Sequence, residues 1–127
     1  MEKIKWFVKE NDWLFKNVPE EMRTVHMKMM EVGWGNGYAL IPLGHPYHGV
    51  HYDDIDISVH GGLTYSSFVS SDQIAMFHLD SEDLGKWCVG FDTSHYEDSI
   101  ERWPKFAVEA EAKNLSEQLE VYAENNR

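Results

Sequence analysis

The sequence predicts an α+β domain, a mostly antiparallel sheet with a C-terminal amphipathic helix packed on one face. Three observations lead there. Val108, Ala112, Leu115, Leu119 and Tyr122 recur at spacings of four, three, four and three, which is one stripe of an α-helix. Upstream, short stretches alternate apolar and polar residues, the period of a half-buried strand. Between them Gly, Pro, Asn and Asp gather into turn-forming clusters. With 127 residues, 43% hydrophobic and 13% aromatic, the chain suits a single domain over residues 1–127 with one core.

Residues 1–16 mix Trp6, Phe7, Trp13, Leu14 and Phe15 with charges and show no clean period, so residues 1–20 read as an arm covering the core. Asn17-Val18-Pro19 is a turn signal. Over residues 23–30, Val25, Met27 and Met29 alternate with Thr24, His26 and Lys28, which predicts a strand. Gly33-Trp34-Gly35-Asn36-Gly37 tolerates positive φ, and residues 38–41 read as a second strand stopped by Pro42; together they predict a hairpin. Residues 43–52 form a loop punctuated by Gly44, Pro46 and Gly49.

Ile55, Ile57 and Val59 alternate with Asp54, Asp56, Ser58 and His60, a third strand. Gly61-Gly62 interrupts it, as at a bulge or a close approach by other atoms, and residues 63–69 continue as strand. Residues 70–83 suit a short strand or a variable loop, residues 86–91 a strand, and residues 92–101 a polar loop. The sheet and motif loops thus span 23–98. Pro104 fits a first helical turn, and the helix is expected over 104–123.

The net charge of -11 argues against a nucleic-acid polymer as partner, which needs a basic face to displace counterions. A small anion can still bind through local donors such as backbone N–H groups, His60, Lys86 or Arg102. Cys88 is the only cysteine, which excludes an intrachain disulfide and a cysteine-rich zinc site. Set between Trp87 and Val89, it reads as a buried, inert thiol in a reducing, cytoplasmic setting. The start MEKIKWFVKEN carries charges where a signal sequence has an apolar region, and no apolar run is long enough to span a bilayer, so no membrane partner is expected. Homo-oligomerisation is left open.

Residues 44–65 concentrate the chemistry, with four of the seven histidines and three aspartates. His45, His48 and His51 are spaced three apart, but Pro46 and Gly49 prevent the helix that would align them. With Asp53, Asp54, Asp56 and His60 they offer donors that zinc or manganese accepts, without an H-E-x-x-H spacing. The alternative is a polar loop, His48 and His51 on the surface and His45 bonded to its own loop. His60-Gly61-Gly62-Leu63-Thr64 is either a ligand floor, with His60 and Thr64 as donors, or a bulge. In Gly90-Phe91-Asp92 with His95, Asp92 either orients an imidazole, a ribose hydroxyl or a cation, or starts an Asx-turn. Tyr38, Tyr47, Tyr52, Tyr65, Trp34 and Trp87 flank these motifs. Aromatic faces beside polar groups suit a nucleobase, whose stacking is worth about 1–3 kcal/mol; core packing is the alternative.

No G-x-S-x-G elbow, phosphate loop or dinucleotide fingerprint is present. No catalytic set, cofactor or resident metal is therefore assigned, and the reading leans away from an enzyme. The expected ligand set is Tyr38, His45, Tyr47, Asp54, His60, Gly61, Gly62, Thr64, Asp92 and His95.

These motifs resemble a family of small uncharacterised phage, prophage and bacterial proteins. The likeness is carried by Gly37-Tyr38, Pro42, Gly44-His45-Pro46-Tyr47, Gly49, Tyr52-Asp53-Asp54, the stretch 59–66, Trp87, Gly90-Phe91-Asp92, His95 and Leu115-Ser116-Glu117-Gln118-Leu119. It covers roughly residues 33–120. The chain departs where the family often has cysteines, holding Asn36 and Thr93 instead, and the Tyr47-His48-Gly49 spacing differs by one residue. The resemblance implies a counter-defence role, by analogy with small phage proteins that sequester nucleotide signals.

Three functions are in play. The first is sequestration of a small nucleotide-like ligand, such as an immune signal. The second is metal-assisted hydrolysis of a small phosphate-containing substrate, with His45, Asp54, His60, Asp92 and His95 converging. The third is occlusion of a host protein by the acidic surface and the N-terminal aromatics. The first two require the segments around His60 and Asp92 to meet and line a shared hollow.

Overall fold

The computed structural model describes residues 3–95 and 97–126. Four antiparallel strands, β1 (Trp6–Glu10), β2 (Gly35–Ile41), β3 (Tyr65–Phe68) and β4 (Trp87–Phe91), form one sheet in the order β1-β2-β4-β3. Three α-helices accompany it among the described residues: α1 (Arg23–Met29), α2 (Ser71–Phe77) and α3 (Lys105–Asn125). The α+β architecture with a C-terminal helix against an antiparallel sheet is as the sequence predicts. No helix of the described residues is long and apolar enough to cross a membrane.

The period of two in β2 and β4 divides the core between the sheet's faces. Ala39, Ile41, Trp87, Val89 and Phe91 face α3 and meet its stripe of Val108, Ala112, Leu115 and Leu119. Tyr38, Leu40 and Cys88 face the other way and pack with Phe7, Tyr65 and Phe77. Full burial of Leu115 and Leu119 contributes about 1.5–3 kcal/mol each. Gly37 lets the layers approach, because a Cβ there would enter the space of the Phe91 ring and Ala112.

Several sequence expectations are corrected. Residues 23–30 are not a strand: a 3-10 turn, Glu20–Met22, leads into α1. Val25 and Met29 are both exposed, so their alternation marks no buried face, and the Met, Arg and Lys content favours helix. The expected hairpin partner of β2 is therefore absent. Its place is taken by β1, paired in register Trp6 with Ala39 and Glu10 with Gly35, so residues 6–10 of the expected covering arm are an edge strand of the sheet.

Residues 54–60 do not join the sheet either. After a 3-10 turn at Tyr52–Asp54, Ile55 is buried and Ile57 and Val59 pack on the core, as their alternation requires. The backbone, however, bonds to side chains of α3. Ser58 N–H donates to Gln118 Oε1 at 3.1 Å, Gln118 Nε2 donates to the Ser58 carbonyl at 2.8 Å, and His60 N–H donates to Glu111 Oε2 at 2.9 Å. Gly61-Gly62 is a tight turn rather than a bulge, closed by Gly62 N–H on the Val59 carbonyl at 2.9 Å. Residues 70–83 hold α2, started by a capping box in which Ser70 and Gln73 bond reciprocally; the S-x-x-Q spacing announces it. The remaining strands lie within their expected bounds, except that β2 starts earlier, at Gly35, and α3 ends at Asn125.

Candidate functional site

The two histidine-bearing glycine segments meet. His60 closes the extended run that α3 holds, and His95 stands in the loop after β4. Their rings lie edge to face with centroids 5.3 Å apart. Gly61 makes this approach feasible: its φ is +67°, and a Cβ there would fall inside the His95 ring.

Between the rings sits a residue that sequence reasoning missed. Asp98 is buried, with its carboxylate divided between the two imidazoles. His60 Nε2 lies 2.8 Å from Asp98 Oδ1, and His95 Nδ1 lies 3.1 Å from Asp98 Oδ2. The same Oδ2 accepts the His95 backbone N–H at 2.8 Å, while Asp98 N–H donates to the His95 carbonyl at 2.9 Å, so one turn fixes both. The other face of His95 is flanked by Asp92, whose Oδ1 is 3.3 Å from Nε2 and also accepts Ser94 N–H at 3.2 Å. The Asx-turn bond of Asp92 is therefore made, whereas its approach to His95 is a proximity of carboxylate and imidazole and not a hydrogen bond. Behind His60, Trp103 lies with its ring centroid 4.2 Å away. The H-x-x-D spacing of His95 and Asp98 was the available signal; Trp103 and Glu111 carried none.

Both imidazoles remain partly open, the His60 side chain 24% and the His95 side chain 34% exposed. Gly61 is exposed, and a Cβ on Gly62 (φ +79°) would meet nothing within 4 Å, so the turn presents open backbone. Thr64 is exposed beyond it, its N–H donating to the Gly90 carbonyl at 2.9 Å. A shallow depression of about 270 Å³ adjoins Asp98, bordered by Glu31, Glu97, Ser99 and Arg102. A larger groove of about 830 Å³ runs between Ile4–Trp6 and α3, and contains none of the sequence-predicted site residues.

The structure keeps the remaining expected residues apart from this cluster. His45 is buried, its Nδ1 accepting Tyr47 N–H at 2.9 Å and its Nε2 donating to the Leu119 carbonyl at 2.8 Å. Tyr47 is buried, stacks on Tyr122 at 4.1 Å and accepts Asp56 N–H on its hydroxyl at 3.1 Å. Tyr38 is buried on the opposite sheet face, stacked on Phe7 at 5.1 Å. Asp54 is exposed in the 3-10 turn. Burial pushes the Cys88 thiol up to about 12, in keeping with an inert side chain. Thr93 is buried and donates from Oγ1 to the Gly35 carbonyl at 2.7 Å.

Among the described residues, His60, His95 and Asp98 are the group that could hold a metal ion, one ligand atom from each lying within 4.8 Å of the others. The cluster can also donate and accept hydrogen bonds toward a polar ligand. No protein-family model, no curated protein and no solved structure matches the chain.

Proposed function

We propose that the protein binds a small nucleotide-like molecule at the face formed by His60, the Gly61-Gly62 turn, Asp92 and His95, and holds it intact. The observation that carries this reading is the meeting of two partly exposed imidazoles beside exposed glycine backbone. Such a surface offers donors to phosphate or base, and Asp92 offers an acceptor to a ribose hydroxyl. Trp103 is the aromatic neighbour, in place of the buried Tyr38 and Tyr47. The phage-like motifs put sequestration of a host immune signal first among the biological roles.

The test is a thermal-shift screen of the chain against a nucleotide panel, followed by mass spectrometry of ligand recovered after denaturation. A shift that His95→Ala abolishes, with ligand returned unaltered, is expected. Absence of any shift overturns the reading. The carboxylate-bridged histidine pair favours hydrolysis as a second reading, and altered ligand would select it.

A further inference from the structure

We propose that His60, His95 and Asp98 form a binding site for one divalent transition-metal ion of the zinc class, with a coordination position left open to an outside ligand. The site stands on the cluster alone; its use in holding a phosphate group rests on the ligand reading above.

The donor set is the first argument. Two imidazoles and a carboxylate suit zinc and its neighbours, and three protein ligands are the complement of a site that keeps a position for water or substrate. Spacing is the second. Bonds of about 2.0–2.1 Å put the ligand atoms of a tetrahedral site about 3.3 Å apart. Asp98 already stands 2.8 Å from His60 Nε2 and 3.1 Å from His95 Nδ1. These two contacts go to different oxygens of Asp98, and the three ligand atoms lie within 4.8 Å of one another, so entry of the ion requires the two rings to close on it and release of the ring protons facing it.

The surroundings supply the third argument, independent of the ligand atoms. Histidines that bind metal usually donate their other ring N–H to a carboxylate or carbonyl, which fixes the ring. With Nδ1 on the ion, His95 Nε2 has a carboxylate nearby, Asp92 Oδ1 at 3.3 Å, which a small rotation of the side chain would bring into that relation. Trp103 backs His60, and Gly61 accommodates the His95 ring. Glu111, one residue from the helix stripe, holds the His60 backbone. Asp92, Asp98 and Glu111 also make the local field negative, in a chain of net charge -11. That field favours a cation and opposes a bare phosphate. A bound ion reverses the local balance, so it would join the acidic surface to a phosphate-bearing ligand.

The experiment uses untagged full-length protein, freed of metal by chelator, titrated with Zn2+ by calorimetry and with Co2+ by visible absorption. One equivalent is expected, with intense Co2+ d–d bands of low coordination number. His95→Ala and Asp98→Asn should each weaken binding by more than the roughly 10–100-fold expected for Asp92→Asn, an outer partner. His60→Ala is informative if circular dichroism shows it folded; His95→Ala and Asp98→Asn carry the test otherwise. No binding at millimolar metal overturns the proposal. So does parental affinity in both His95→Ala and Asp98→Asn, which would move the ion to other histidines such as His48 and His51. The nucleotide screen on metal-free and metal-loaded protein separates the two readings. Metal binding without any nucleotide shift keeps this site and overturns ligand binding; a nucleotide shift in protein that takes no metal does the reverse.

Discussion

His45 and His60 come from similar sequence, each an imidazole beside glycine in a turn-rich loop, yet they meet different fates. His45 is 8% exposed, and both its nitrogens are engaged by backbone, the Tyr47 N–H and the Leu119 carbonyl. His60 remains partly open and pairs with a carboxylate that it shares with a second imidazole. Backbone partners close a ring into a strut. A shared carboxylate keeps its proton exchangeable for a cation. Helix α3 underlies both, holding one loop through Leu119 and Tyr122 and the other through Glu111. Those anchors, from 111 to 119, lie about 12 Å apart along the helix axis.

The largest expected effect separates strut from site. His45→Ala leaves the Tyr47 N–H without its partner, removes the second bond to the Leu119 carbonyl and opens a cavity where the buried ring stood, so it should lower stability by about 3 kcal/mol. His95→Ala removes a partly exposed ring, while Asp98 keeps His60 and the His95 backbone N–H. Its cost should be about 1 kcal/mol or less, as for other partly exposed substitutions. Urea unfolding of both variants measures the difference. Equal losses would mean that both histidines are structural.

A second pair tests the glycine turn. Gly61 and Gly62 both have positive φ, so alanine at either costs roughly 1 kcal/mol in backbone strain. Only at Gly61 does the added methyl meet a ring, that of His95. Gly61→Ala should therefore cost about 2 kcal/mol once the displaced ring is included. It should also separate His95 from His60, visible as altered imidazole resonances in an NMR spectrum. Gly62→Ala should leave those resonances in place. Indistinguishable spectra would show that the ring contact does not depend on Gly61.

The same comparison explains what was legible beforehand. The α3 stripe was readable because five apolar residues repeat at one period over fifteen positions. The meeting of His60 and His95 was expected from the shared histidine and glycine chemistry of their two segments, although His60 was read as part of a strand and stands in a turn. Asp98 had only its H-x-x-D spacing from His95 to mark it among the several acids of the loop after β4, and the fold selects which of them turns inward. Residues 54–60 show a subtler limit. Alternation reports which side chains are buried, and that expectation holds for Ile55, Ile57 and Val59. It does not report what satisfies the backbone, and Gln118 and Glu111 do so here where another strand was expected. In residues 23–30 even the burial inference fails, because Met is compatible with an exposed helix as readily as with a core.

The smallest expected effect concerns two tyrosines assigned the same stacking role and now found in separate cores. Tyr47 belongs to the His45 strut: its hydroxyl accepts the Asp56 N–H at 3.1 Å, and its ring lies on Tyr122. Tyr47→Phe keeps the ring and removes the acceptor, so the cost should be about 1 kcal/mol. Tyr38 has only a 3.5 Å contact from Asn36 to its hydroxyl, and burial with poor compensation raises its phenol above the ordinary range. Tyr38→Phe removes a weakly bonded buried hydroxyl and retains the packing against Phe7 and Phe77, so its effect on the urea midpoint should be near zero. Neither variant should change ligand or metal binding, because neither ring reaches the His60 cluster. A loss of binding in Tyr38→Phe with unchanged stability would place the ligand on the opposite face of the sheet and reassign the site.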